Sequence, residues 1–164
     1  MLVSLLRPAT AEDEAFFRAL YHSTRAEEVR AMRWPPEMVR AFLDSQFTAQ
    51  KAGYAQAFPG AETFAVLSEP GVPDPVGRLI LYRSAHAIRL VDIALMPGRR
   101  NQGLGTRVIA LLQQWARIDD MPLHLQVEHH NRALALYLRA GFTRSSENEL
   151  RIQMVWHPSP PPHA

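Results

Sequence analysis

Residues 99–106 read RRNQGLGT, and the interpretation of this stretch decides the fold. It sets two arginines, an amide and two glycines directly before Val108, Leu111, Leu112 and Trp115, an apolar series at helical spacing. Glycine loses more backbone freedom on folding than any other residue, so Gly103 and Gly105 mark places where a side chain would obstruct the backbone or a ligand. A helix opening here directs the unpaired N–H groups of its first turn, and the positive end of its dipole, at whatever occupies the loop. A phosphate suits that place. Two phosphate-binding patterns nevertheless fail: a P-loop requires a lysine where Leu104 stands, and the dinucleotide fingerprint requires a third glycine where Val108 stands. On the glycines alone, a tight turn with solvated arginines accounts for the stretch equally well.

Outward from the loop, Ile88–Leu95 on one side and Leu123–Val127 on the other read as strands, so 88–127 is a strand–helix–strand unit whose two strands are expected to be parallel. Upstream, Thr63–Leu67 and Val76–Tyr82 are strands joined by the turn-rich EPGVPDP at 69–75. Leu2–Leu6 forms an opening strand. Thr10 followed by Asp13 has the capping-box spacing of a helix start, leading into Phe16, Phe17, Leu20 and Tyr21. Pro35 and Pro36 begin a second helix that runs to about Tyr54. Downstream, Arg132–Ala140 is a short helix ended by Gly141, and Arg151–Trp156 a final strand. These elements predict one domain over residues 1–157 and a proline-rich, disordered tail, PSPPPHA, at 158–164.

Composition narrows the function classes. The 164 residues contain no cysteine, which excludes disulfides, zinc–thiolate sites and a cysteine nucleophile. The net charge is only +2, Lys51 is the sole lysine, and the arginines are scattered among acids, so nucleic acid is not an expected partner. The N-terminal MLVSLLRPATAEDE lacks the positive charge of a signal peptide, and no stretch reaches membrane-spanning length, so a cytoplasmic protein with no membrane partner is expected.

The arrangement Arg100-x-x-Gly103-x-Gly105, preceded by the strand IRLVDIALMP, resembles the acyl-CoA-binding motif of the GNAT acetyltransferase superfamily. Three more features stand in the same order: RPATAED at 7–13, Asn131 after the next strand, and YLRAGF at 137–142. The asparagine of the superfamily commonly stands seven residues before the tyrosine. Here His130 holds that spacing and Asn131 stands six away, so the contact falls to one or the other. Residues 22–60 carry no shared motif. The resemblance implies an α/β GNAT fold: a central mixed, mostly antiparallel sheet with a splayed parallel strand pair, flanked by helices.

It also implies a chemistry. Acetyl-CoA would lie with its pantetheine arm on Ile93, Ala94 and Leu95. Its pyrophosphate would rest on the N–H groups of Arg100, Asn101, Gln102, Gly103, Leu104, Gly105 and Thr106. A primary amine would attack the thioester directly, with no covalent enzyme intermediate and no metal. A lysine-like amine, with a pKa near ~10.4, must first lose a proton. Asp92 and Glu128 are the carboxylates best placed to assist, and each taken singly reads first as a structural acid satisfied by an arginine such as Arg89. Tyr137 stands where the superfamily commonly keeps the acid that protonates the departing thiolate, and it also reads as a core aromatic.

Acceptor recognition is assigned to Glu28, Trp34 and Tyr54, with the amine attracted by the carboxylate and its carbon skeleton by the rings. Adjacent His129 and His130 point to opposite sides of an extended chain and lack a third ligand at convincing spacing. The expected protein is an N-acetyltransferase for a small-molecule or peptide amine, acting as a monomer or homodimer. A non-catalytic acyl-CoA-binding module is the alternative, and transfer to a hydroxyl a third.

Overall fold

The computed structural model describes residues 4–158. Seven strands form one mixed sheet in the order β1-β2-β3-β4-β5-β7-β6. The chain also divides into two compact units, one through Ile80 with Asp92–Arg100, the other Leu81–Val91 with the chain from Asn101 onward.

The first unit begins with β1 (Leu6–Pro8), antiparallel to β2 (Glu62–Leu67) with Leu6 opposite Val66. The opening strand therefore lies C-terminal to the Leu2–Leu6 expected from apolar character. Residues 1–3, and residues 159–164 of the proline-rich tail, lie outside the described chain. Arg7 on β1 grips Asp13 through two hydrogen bonds of 3.0 Å, and Asp13 also accepts the Thr10 N–H at 2.8 Å. The RPATAED run is thus a strand exit locked to a helix entrance.

Three helices follow rather than two: α1 (Glu14–Thr24), α2 (Ala26–Met32) and α3 (Pro36–Ala57). The break at Arg25 interrupts an otherwise helix-compatible sequence. Arg25 itself leaves helical geometry at φ −106°, ψ 5°. Pro36 opens α3 as expected, and α3 extends three residues past Tyr54. Phe17 of α1 and Phe47 of α3 close over Ala65 of β2, with Tyr21 packed against the group.

β3 (Pro75–Arg83) is buried almost throughout, as befits a strand covered on both faces. Gly77 in its first half is obligatory in a packing sense. A Cβ there would sit 2.5 Å from the Ala94 carbonyl oxygen and 2.7 Å from Leu95 Cδ2 on β4 (Ile88–Leu95).

In the second unit, β4 pairs in parallel with β5 (Leu123–Glu128) from Ile88↔Leu123 to Leu90↔Leu125. β5 continues antiparallel to β7 (Arg151–Trp156) as far as Glu128↔Arg151. The helix between β4 and β5, α4 (Leu104–Asp119), buries Leu104, Val108, Ile109, Leu112 and Ala116. Leu111 and Trp115 are only half-buried, so the buried stripe is rotated from the one the sequence suggested. Trp115 carries the Arg83 guanidinium 5.5 Å from its ring centre. Gln113, buried on α4, donates 2.8 Å to the Ala140 carbonyl at the end of α5 (Ala133–Arg139). One strand was not anticipated. β6 (Thr143–Glu147) is exposed at every residue and is held by backbone pairing to β7, with a bulge between Arg144 and Ser146. TRSSE has no apolar alternation, and edge pairing needs none.

Candidate active site

The connection from β4 into α4 is built from unusual backbone. Pro97–Arg99 makes a single 3-10 turn, Arg100 is extended, Asn101 lies at φ +61° and Gly103 at φ +78°. Asparagine and glycine are the residues that tolerate this left-handed region. A Cβ on Gly103 would meet nothing within 4 Å, so the requirement there is conformational. Gly105 is different, since a Cβ would stand 3.2 Å from Leu136 Cδ1.

The first helical bond of α4 runs from the Arg107 N–H to the Gly103 carbonyl at 3.1 Å. The N–H groups of Leu104, Gly105 and Thr106 precede it and emerge at the helix end without intrahelical acceptors. Arg99 and Arg100 are exposed, and their guanidinium groups make no hydrogen bond or ion pair with another described residue. The backbone donors and the dipole at the start of α4 suit an anionic group such as a pyrophosphate.

A separate feature lies within the first unit. A cavity of about 310 Å³ is walled by Phe17, Leu20, Tyr21, Thr24 and Arg25 of α1 and its exit, Gln50 of α3, Arg78 of β3, and Asp92, Ile93 and Ala94 of β4. Two of the three β4 residues assigned to the pantetheine arm therefore face it. Leu95 follows, and the Met96 N–H returns to the Val76 carbonyl at 2.8 Å.

Asp92 Oδ2 accepts from Arg78 Nη2 at 2.7 Å. Arg78, not Arg89, is thus its partner. Arg89 lies 3.5 Å from Gln153, and burial pushes its guanidinium pKa down. Arg78 Nη2 also donates to Gln50 Oε1 at 3.0 Å, and Arg78 is only 6% exposed.

At the cavity rim, Arg25 donates to Glu28 through Nε and Nη2, and to the Tyr21 hydroxyl through Nη1. The hydrogen bonds to Arg25 hold the Glu28 carboxyl below its ordinary value and raise Arg25 reciprocally. Of the three residues assigned to the acceptor, none lines this cavity. Glu28 is engaged by Arg25. Trp34 packs edge-on against Phe42 at 5.4 Å with 39% of its surface exposed, and Tyr54 is half-buried near the C-terminal end of α3. Tyr21, Gln50 and Arg78 do line it, and sequence reasoning missed them. A core aromatic, a helix amide and a strand arginine carry no motif, and only folding brings them together.

In the second unit, Tyr137 is 5% exposed on α5, its ring tilted against Phe142 at 5.8 Å. Glu128 ends β5 with an exposed side chain. Asn131 Oδ1 accepts from the Ala133 N–H at 2.9 Å and caps the start of α5, whereas His130 is exposed. His129 Nε2 meets the Asn148 carbonyl at 2.7 Å. Among the described residues no group of three or more His, Cys, Asp or Glu could hold a metal ion, and no helix is long and apolar enough to cross a membrane.

The family model described as "Acetyltransferase (GNAT) family" matches residues 15–142. No curated protein matches in sequence. Among solved structures, the PaiA N-acetyltransferase of Thermoplasma acidophilum in complex with coenzyme A superposes with a TM-score of 0.67 at 13% identity, over 96% of this chain and 99% of that one. An acetyltransferase from Thermus thermophilus gives 0.61 at 23% identity, over 96% and 99%. A nourseothricin acetyltransferase gives 0.50 at 22% identity, over 62% and 67%.

Proposed function

The chain belongs to the GNAT acetyltransferase family, and from that premise we propose that it transfers acetyl from acetyl-CoA to the primary amine of a small molecule. The observation that carries this reading is the entrance to α4. It combines left-handed backbone at Asn101 and Gly103 with the leading N–H groups of Leu104–Thr106. That donor set fits the pyrophosphate of the co-substrate, and Ile93, Ala94 and Leu95 would carry its pantetheine arm. A structural relative crystallised with coenzyme A and another named for nourseothricin, a small molecule, favour the same cofactor and acceptor class.

Acetyl-CoA supplies the activated acyl group. The amine nitrogen forms its bond to the acyl carbon as the carbon–sulfur bond breaks. The ammonium proton leaves by way of Asp92 or Glu128, the thiolate takes one from Tyr137, and the second proton shed by nitrogen as the amide forms restores the tyrosine. Asp92 lies on the cavity wall beside Ile93, held there by Arg78, which gives it the role of receiving the amine. His130 and Asn131 remain as contacts to the co-substrate beyond the β5 end.

The test is an amine panel incubated with acetyl-CoA, read by release of free thiol and by mass of the acetylated product. Turnover of at least one small primary amine is expected. Binding of acetyl-CoA without thiol release across the panel would instead identify a module that holds the co-substrate without chemistry.

A further inference from the structure

Resting on the reading above, we infer that the acceptor carries a carboxylate beside its amine, as in an α-amino acid with a modest apolar side chain. The inference starts from Arg78. It sits in the middle of a buried strand, lines the cavity and is 6% exposed, a place where an arginine is costly unless its charge and donors are matched. Its charge is matched by Asp92, but its donors are not. Nη2 serves both Asp92 and Gln50. Nε is buried without an acceptor, and Nη1 makes no hydrogen bond with any described residue. A guanidinium carries five N–H donors in a fixed plane, so Nη1, on a residue that lines the cavity, is the donor left for a ligand.

Asp92 is complementary. Its Oδ2 is committed to Arg78, while Oδ1 has no hydrogen-bond partner among the described residues. The wall thus presents an available carboxylate oxygen next to an under-satisfied guanidinium, a fixed dipole of two opposite charges in contact. An α-amino acid presents the mirror of it, an ammonium and a carboxylate separated by one carbon. Its ammonium is directed to Asp92 and its carboxylate to Arg78.

The same pairing disfavours other amines. A polyamine would set a second cation against Arg78 and Arg25, and a phosphorylated amine would set a dianion against Asp92. Phe17, Leu20 and the Tyr21 ring give part of the wall the apolar character that suits a hydrocarbon side chain. At about 310 Å³ the space stands at the small end of small-molecule sites.

The experiment compares matched pairs that differ only in the carboxylate: leucine with 3-methylbutylamine, and phenylalanine with phenethylamine, alongside 1,4-diaminobutane. Each is titrated calorimetrically into the protein saturated with coenzyme A, and each is assayed with acetyl-CoA across pH so that rates are compared per unprotonated amine. The amino acids should bind tighter, on the order of 10- to 100-fold, as a charge-assisted hydrogen bond provides. Arg78→Gln should collapse the preference towards one. Gln50→Glu, which places a competing carboxylate against the same guanidinium, should lower it in a protein whose β3 is unaltered.

Equal or tighter binding of the decarboxylated amines or the diamine overturns the inference, as does failure of every amine to bind. Preferential binding of amino acids without thiol release upholds the pairing of ammonium with Asp92 and carboxylate with Arg78, and overturns the reading of the bound amino acid as an acceptor. A preference that persists in Arg78→Gln, or in Gln50→Glu if the first variant does not fold, also overturns the inference.

Discussion

Asp13 is 6% exposed with both carboxylate oxygens on the Arg7 guanidinium, and these hydrogen bonds hold its carboxyl below the usual aspartate range. A depressed folded-state value means stability that is present at neutral pH and is lost as pH falls through that lowered value. Asp13→Asn should therefore cost about 1–3 kcal/mol at pH 7 by loss of charge-assisted hydrogen bonds. It should also weaken the acid dependence below pH ~4, the ordinary aspartate value. Denaturant unfolding of both proteins from pH 7 downwards measures both effects. Identical pH profiles would show that the pair contributes no linkage. Tyr137 offers a catalytic test at equal burial. Tyr137→Phe keeps the ring against Phe142, so kcat should fall roughly 100-fold or more if the hydroxyl protonates the leaving thiolate, with acetyl-CoA affinity unchanged. Unaltered kcat would leave Tyr137 as a packing residue.

Strand β4 and the turn after it depend on two glycines for different reasons. At Gly77 the obstacle is steric, because a methyl group would press on the Ala94 carbonyl at 2.5 Å. Backbone cannot swing aside as a side-chain tip can, so Gly77→Ala should cost about 1–3 kcal/mol and displace the segment proposed to receive the pantetheine arm. Both the ligand-free melting temperature and the acetyl-CoA titration should register it; a variant with both unchanged would mean β4 accommodates the methyl. At Gly103 the obstacle is φ +78°, with open space around it. Gly103→Val should leave a folded protein that no longer gains melting temperature from acetyl-CoA. Gly105→Ala, which meets only the flexible end of Leu136 at 3.2 Å, should retain that gain. Reversal of these two outcomes would place the anion contact elsewhere.

For the protein as a whole, a co-substrate that binds only the folded state adds about 2.7 kcal/mol at 100 times its Kd. For a chain of 164 residues that corresponds to a rise in melting temperature of roughly 5–10 °C. Thermal unfolding with and without acetyl-CoA measures it directly. No rise at saturating acetyl-CoA would remove the co-substrate assignment and with it the proposed reaction.

Most elements were legible because their information is local. Period-two apolar runs mark β4, β5 and β7. Pro36 marks the start of α3, Gly141 the end of α5, and the glycine loop the start of α4. Each depends on residues adjacent in the chain and on backbone conformations that few side chains permit. The edge strand β6 escaped because TRSSE pairs through its backbone and buries nothing, and the break between α1 and α2 escaped because the sequence around Arg25 favours helix on both sides. The loop before α4, proposed to hold the co-substrate, belongs with what local sequence dictates, since its requirement is a left-handed backbone at a helix entrance. The cavity does not. Tyr21, Gln50, Arg78 and Asp92 lie on four elements separated by up to 71 positions (92 − 21), and their meeting is settled by how α1 and α3 pack on β3 and β4. From the sequence, Asp92 reads as a structural acid satisfied by an arginine such as Arg89. Tertiary packing gave it Arg78, a buried cation for which a carboxylate in contact relieves the cost of desolvation.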